Sequence, residues 1–189
     1  MSLEALKREF EEFKEMMSGP SVVAKFHKVS LEQFTKDYSA NKDIDESEVL
    51  DIYENVLTTP VRSSAGSAGH YFILTEDITL KPGESAKIFT GIRAEIAEDW
   101  VLLLAPRSGL GSKFRMQLNN TIGVIDSDYF EADNEGHIIA TFTNDSNEDK
   151  ELTLKAGDRF MQGFFVPYGI TENDVPLGKR TGGFGSSGL

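Results

Sequence analysis

Cysteine is missing from this 189-residue chain, and three kinds of chemistry are excluded with it. The protein can have no disulfide, no thiolate nucleophile and no zinc site built from cysteine ligands. Such a composition suits a reducing compartment, so we expect a cytoplasmic protein.

Long apolar runs and excess positive charge are missing too. No stretch approaches the roughly 20 apolar residues that span a bilayer, and the first residues lack the cationic start and apolar run of a signal peptide. Nineteen Lys and Arg against thirty-one Asp and Glu give a net charge of -12. This negative charge disfavours sequence-independent binding to nucleic acid or anionic lipid. We expect neither as a partner, whereas a small nucleotide could still be held by local cations and backbone N–H groups.

Residues 1–60 are predicted to form a largely helical extension. Apolar residues at three- and four-residue steps predict an amphipathic helix from Ser2 to about Met17. Residues 22–29 predict a short strand, Ser30 is placed to cap a second helix, and a third helical stretch is expected over residues 46–56.

Residues 61–175 have a different sequence pattern, with short β-rich runs separated by turn residues. Because strand follows strand with no gap long enough for a crossover helix, the pattern favours an antiparallel all-β barrel or sandwich. The remaining residues, 176–189, are rich in glycine and serine and predict a flexible arm.

The segment Pro106-Arg107-Ser108-Gly109-Leu110-Gly111 follows an apolar strand. A small-residue turn with a guanidinium and a hydroxyl can direct several donors at phosphate oxygens. Taken alone, it is more often a polar turn between strands.

Two aspartates straddle a serine in Gly123-Val124-Ile125-Asp126-Ser127-Asp128-Tyr129. If this stretch is extended, one of the two carboxylates could face a pocket as a base. An ordinary acidic turn is the alternative. Further along, Gln162 is a polar residue inside an apolar run, and Phe184 is an aromatic residue within a glycine-rich tail.

In this order, the segments resemble the motifs of the trimeric dUTPase family over about residues 60–189: SAG, PRSG-LG, the stretch around GVIDSDY, GDR-x-x-Q, and GGFGSSG. The resemblance implies a dUTPase-like jelly-roll or β-clip barrel preceded by the helical extension. It also implies hydrolysis of dUTP to dUMP and pyrophosphate, a homotrimer, and Mg²⁺ held mainly by the substrate triphosphate with no dedicated protein metal site.

The resemblance assigns roles on the phosphate side residue by residue. Asp126 corresponds to the catalytic aspartate that deprotonates a water for attack on the α-phosphorus. Arg107 and Gln162 correspond to residues that act on the phosphates, and Ser108 and Gly109 to phosphate-binding residues of the same loop.

On the base side, Asn120, Gly123 and Ile125 fall in the hairpin where the family reads the uracil edge. Tyr129 falls on the aromatic residue that packs under deoxyribose and leaves no space for a 2′-hydroxyl. Phe184 would cover the base when the arm closes.

The chain departs from the family pattern at three places. Tyr71 stands where the first motif usually has an aspartate. The arm's usual arginine position holds Lys179, with Arg180 one step nearer, and either could reach the γ-phosphate. Residues 130–135 also form a longer connection than usual beside the base pocket.

Two rival functions stay open at this stage. A dCTP deaminase shares the barrel but needs a glutamate where this chain holds Thr141, which disfavours deamination. A regulatory homologue that binds the nucleotide with weak or no hydrolysis is the other rival, and Tyr71 in the first motif is the feature that supports it.

Overall fold

The computed structural model describes residues 2–16, 20–176 and Gly178, which form a mostly β structure with short helices. The helices are α1 (Leu3–Met16), α2 (Leu31–Ser39), α3 (Glu46–Asp51) and α4 (Ser108–Phe114). The strands are β1 (Ala24–Lys28), β2 (Val61–Arg62), β3 (His70–Ile73), β4 (Ile78–Leu80), β5 (Ser85–Phe89), β6 (Ile92–Ile96), β7 (Trp100–Pro106), β8 (Met116–Leu118), β9 (Gly123–Ile125), β10 (Ile139–Asn144), β11 (Leu152–Leu154) and β12 (Arg159–Pro167).

The strands pair antiparallel, which confirms the all-β expectation for the main region. Within the described part of the chain they form four hydrogen-bonded sheets and no single closed barrel. The largest has the order β2-β3-β12-β7-β9, and the others are β5-β10-β8, β1-β6 and β11-β4. Alternation explains the strands: along β10 buried residues alternate with partly exposed ones, as a sheet with one face on the core requires.

The predicted elements of the N-terminal segment are present. Ser30 caps α2 by accepting a hydrogen bond from Gln33 N at 3.1 Å. The Gln33 side chain donates to the Asp37 carboxylate at 2.8 Å and does not return to the Ser30 backbone, so this cap is not a reciprocal capping box. A reciprocal box occurs at Asp45, and α3 then continues as a π-helical turn over Ile52–Val56.

The N-terminal segment packs directly on the β region. Strand β1 pairs with β6 along its whole length, and Tyr38 of α2 lies 5.7 Å from the Phe89 ring of β5. Leu57 packs over Gly91, where an added Cβ would lie 1.8 Å from a Leu57 methyl group. Gly91 also has a φ of +67°, so both its conformation and its contact require glycine. The two regions therefore share one hydrophobic core.

Two short helical turns differ from the sequence prediction. The segment after Pro106, predicted as a turn, forms the seven-residue α4. Residues Ser127–Glu131 form a 3₁₀ turn, so this stretch is extended only as far as Asp126. Within residues 2–16, 20–176 and 178, there is no helix with the length and apolar character to cross a membrane.

Candidate active site

Arg107 lies at the end of β7 and begins the phosphate side of the site. Its backbone N donates to Phe160 O at 3.0 Å, and its carbonyl accepts from Leu110 N and Gly111 N, both at 3.0 Å. These bonds hold the backbone of the turn, while the side chains of Arg107 and Ser108 and the neighbouring Gly109 stay exposed. Because these donor groups are exposed on a fixed backbone, they can bind a polyanion.

Gln162 of β12 connects the first and second motifs. It lies opposite Tyr71 of β3 on one side and Ala105 of β7 on the other. Its Nε2 donates to Pro106 O at 3.4 Å, and a Cβ on Gly69 would lie only 2.8 Å from its Oε1. Adjacent strands thus bring the predicted residues Arg107 and Gln162 to one place.

Tyr71 occupies the position where a carboxylate was expected, and it lies between two guanidinium groups. The Arg159 guanidinium carbon is 5.0 Å from the centre of the Tyr71 ring, and that of Arg107 is 6.0 Å away. The face of an aromatic ring attracts a cation, although without the charge of a carboxylate. Tyr71 therefore offers Arg107 an aromatic surface in place of an ion pair.

The base side is a cavity of about 510 Å³ between β7, β8, β9 and β10. Its lining is mainly apolar, with polar groups at Lys87, Asn119, Asn120, Asn134 and Thr141. Gly123 is essential to its shape, because a Cβ there would lie 2.9 Å from Leu104 Cβ. The predicted residues Asn120, Gly123 and Ile125 all line it. An apolar cavity of this size with a few polar groups suits a nucleobase and its sugar.

Asp126 directly follows Ile125, the last residue of β9, and its carbonyl accepts from Tyr129 N at 3.2 Å. The Asp126 side chain is exposed, whereas Tyr129 is only 3% exposed. The Tyr129 hydroxyl donates to His137 O at 2.8 Å and accepts from Asn134 Nδ2 at 2.9 Å. Tyr129 is thus a fixed core residue behind the hairpin, and its predicted contact with the sugar stays a prediction.

The two sides do not meet within one chain. In the β7–β9 pair, Ile125 lies opposite Leu102, and Arg107 is five residues further along β7. At roughly 3.3 Å per strand residue this is about 17 Å. Reacting groups must come within about 3.5 Å. Asp126, which follows Ile125 on the side away from Arg107, is therefore well separated from the Arg107 backbone of the same chain.

Among the histidines, His137 is a key residue that the sequence did not reveal. His137 is fully buried, and its Nδ1 lies 2.6 Å from the Asp37 carboxylate of α2. His70 packs against Phe26 and Phe165, with ring centres 5.4 and 5.6 Å apart, and burial lowers its pKa. Among residues 2–16, 20–176 and 178, no three His, Asp or Glu side chains form a group suited to a metal ion.

Three predicted site residues, Lys179, Arg180 and Phe184, lie outside the described residues, so their roles stay predictions. The sequence interpretation also missed Lys87 and Asn134 in the cavity lining. Asn134 lies in the longer connection after Tyr129, and that unusual length was the one signal that pointed toward it.

The β sheets, the apolar cavity with a few polar groups, and Gln162 beside the Pro106-Arg107 turn together fit a β protein of a nucleotide-binding class. The chain belongs to the dUTPase family, whose sequence profile matches residues 56–188. A deoxyuridine 5′-triphosphate nucleotidohydrolase of Lactococcus lactis is 38% identical over 145 residues, covering 75% of this chain and 95% of the relative. One from Hahella chejuensis is 34% identical over 142 residues, with 71% and 89% coverage.

Solved structures agree with this assignment. The crystal structure of a dUTPase from Streptococcus mutans aligns with a TM-score of 0.57 at 31% identity, covering 78% of this chain and 98% of that one. The dUTPase of Staphylococcus bacteriophage 80alpha, solved with dUPNHPP, aligns over 89% of this chain and 100% of its own with a TM-score of 0.58. At 22% identity the second likeness shows the fold alone. The dUTPase-like fold predicted from the motifs is confirmed.

Proposed function

We propose that this protein hydrolyses dUTP to dUMP and pyrophosphate, with Asp126 as the general base. The observation that carries the proposal is the position of Asp126: it follows Ile125 at the edge of the cavity, in a chain 38% identical to a protein named as a dUTP nucleotidohydrolase. A carboxylate at the end of a base-sized cavity can accept a proton from a water near the phosphates.

In the proposed reaction, Asp126 accepts a proton from water as the water oxygen forms a bond to the α-phosphorus. The bond between that phosphorus and the oxygen bridging to the β-phosphate breaks, and pyrophosphate leaves in line with the attack. Arg107 and Gln162, brought together by β7 and β12, would hold the phosphate oxygens and stabilise the charge that develops on them.

Magnesium fits this site as an ion carried mainly by the substrate. Tyr71 offers no carboxylate, and among the described residues no protein cluster is suited to a metal, so triphosphate oxygens would supply most ligands. The bound ion would neutralise phosphate charge. A related dUTPase from phage phi11 of S. aureus was described with a structural Mg(II) ion, and its fold is similar at 22% identity.

A homotrimer would complete the site. The roughly 17 Å along β7 between Leu102, which lies opposite Ile125, and Arg107 can be closed if different copies contribute the two sides. Ile122 and Val124, beside the cavity, are 40% and 51% exposed, and apolar residues of this kind suit an interface between copies.

The decisive experiment compares pyrophosphate release from dUTP by the unchanged protein and by Asp126→Asn, in the presence of magnesium. We expect the variant to lose about 100- to 10,000-fold in kcat, which is the usual contribution of a general base. Asp133→Asn, which removes an exposed carboxylate from the same region, is the control and should keep full activity.

The same experiment separates the rival functions. A protein that binds dUTP tightly but releases no pyrophosphate would support the regulatory homologue, for which the missing carboxylate at Tyr71 is the specific argument. Ammonia release from dCTP would support deamination. Thr141 argues against that activity, because it lines the cavity and carries no carboxylate.

A further inference from the structure

The connection at residues 130–135 is attached to the N-terminal segment by a carboxylate. The Glu135 carboxylate accepts from Ser30 N at 2.7 Å and from Ser30 Oγ at 2.6 Å. Arg93 lies 3.8 Å from the same carboxylate, and these contacts hold the pKa of Glu135 below its usual value against the opposing effect of burial. Two short hydrogen bonds to a charged acceptor make a strong anchor.

A second link joins the same two regions through a buried histidine. Gly91 N donates to His137 Nε2 at 2.8 Å, so the proton of a neutral ring is on Nδ1 and is donated to the Asp37 carboxylate at 2.6 Å. Asp37 also accepts from Gln33 Nε2. Burial raises the pKa of Asp37, but the hydrogen bonds to its carboxylate together lower the pKa by more. The pKa of Asp37 therefore lies below its usual value. Asp37 therefore stays ionised and holds the ring.

Both links lead to the cavity. The His137 carbonyl accepts the hydroxyl of Tyr129, which also receives a hydrogen bond from Asn134. Asn134 itself lines the cavity beside Asn120 and Ile125. The second link thus runs from Asp37 to Asn134 through three hydrogen bonds, and the first link reaches Asn134 through its covalent neighbour Glu135.

This part of the wall needs such support because its backbone is unusual. Glu135 has a φ of +56° and Gly136 a φ of +67°, and a Cβ on Gly136 would lie 2.5 Å from Tyr129 O. A non-glycine residue in the left-handed region is kept there only when its surroundings determine it. The Arg93 guanidinium, 3.6 Å from the centre of the Phe130 ring, holds the start of the connection.

We propose that Ser30 and Asp37 of the N-terminal segment are positioning residues for the nucleotide pocket, acting through Glu135 and His137 on Asn134 and Tyr129. The segment then sets how well the pocket fits a deoxynucleotide. This inference rests on the proposed function, because it takes the cavity as the site of base and sugar.

The test compares Glu135→Ala with the unchanged protein in two measurements: calorimetric binding of dUMP, and the ratio of kcat/KM for dUTP to that for UTP. We expect the Kd for dUMP to rise about three- to tenfold and the dUTP-to-UTP ratio of kcat/KM to fall, because the variant misplaces the pocket wall. The kcat for dUTP should stay within about twofold, because the phosphate side is left intact. Glu131→Ala removes an exposed carboxylate of the same connection and should change neither quantity.

Two further variants keep the test decisive. Glu135→Gln keeps the side-chain shape and one acceptor oxygen, so it should give a smaller effect if Glu135→Ala does not fold. Asp37→Ala breaks the second link and should shift binding in the same direction. A fall in melting temperature with unchanged dUMP binding and unchanged dUTP-to-UTP ratio would mean a purely structural link and overturn the inference.

The outcomes also distinguish this inference from the proposed function. If the unchanged protein binds dUMP but releases no pyrophosphate from dUTP, hydrolysis is wrong while the binding comparison still decides the positioning role. If the unchanged protein neither binds dUMP nor releases pyrophosphate from dUTP, both proposals are overturned.

Discussion

The base side and the phosphate side of this site are built by different means. The base side is a cavity between strands, shaped by apolar side chains and by the absence of a side chain at Gly123. The phosphate side is a cluster of partly or fully exposed polar groups around Arg107, held by its backbone. Shape of this kind gives selectivity for one base and sugar, whereas charge and hydrogen bonds stabilise the reacting phosphates. Changes on the phosphate side should therefore act mainly on turnover, and changes on the base side on substrate binding and stability.

After Asp126→Asn, the largest effect should come from Arg107→Ala. The guanidinium is exposed, so its removal leaves no buried partner and should cost little stability. Loss of one preorganised donor to a developing charge typically lowers kcat by about 100- to 1,000-fold. We expect a loss of this size in steady-state pyrophosphate release from dUTP, with a melting temperature close to that of the unchanged protein.

Lys113→Ala is the matched control for this variant. Lys113 is an exposed cation in the last turn of α4, six residues after Arg107, and its removal makes the same change in net charge. If the two variants lose activity equally, the effect is one of general charge, and the distinction between the two sides fails.

On the base side, Gly123→Ala should raise KM for dUTP about tenfold and also destabilise the fold. The new Cβ would be 2.9 Å from Leu104 Cβ, so β9 must move away from β7 and the cavity changes shape. Overpacking of this kind costs about 1–3 kcal/mol. Denaturant unfolding and steady-state kinetics measure the two effects.

Gly66→Ala is the comparison for Gly123→Ala, because an added Cβ at Gly66 meets nothing within 4 Å. It should leave both KM and the free energy of unfolding nearly unchanged. A Gly123→Ala variant with normal KM would show that the cavity does not bind the nucleotide.

The contrast between the sides also explains how much the sequence could predict. The predicted strands were found because alternation along each chain segment is a local property, as in β10. Arg107 and Gln162 were predicted from short motifs, and Gln162 donates to the carbonyl of Pro106, the residue before Arg107. The base-side hairpin was located in the same way, through Asn120, Gly123 and Ile125.

The features that the sequence did not reveal depend on distant partners. The hydrogen bond between Asp37 and His137 joins residues one hundred positions apart, and nothing in the local pattern of either residue indicates it. Lys87 enters the cavity lining only because β5 pairs with β10. Helix α4 was missed because Gly109 and Gly111 are poor helix formers, and tertiary context overrides that preference.

The smallest effect should come from Tyr71, which tests whether the aromatic ring supports Arg107. Tyr71→Ala removes the surface that lies 6.0 Å from the Arg107 guanidinium, while Tyr71→Phe keeps the ring and removes only the hydroxyl. An exposed cation–ring contact contributes about 0.5–1 kcal/mol, which corresponds to roughly a two- to fivefold fall in kcat/KM for Tyr71→Ala. Tyr71→Phe should stay within the error of the unchanged protein. Equal losses in both variants would instead assign the role to the hydroxyl, and Tyr71 would then contribute a hydrogen bond where the family usually has a carboxylate.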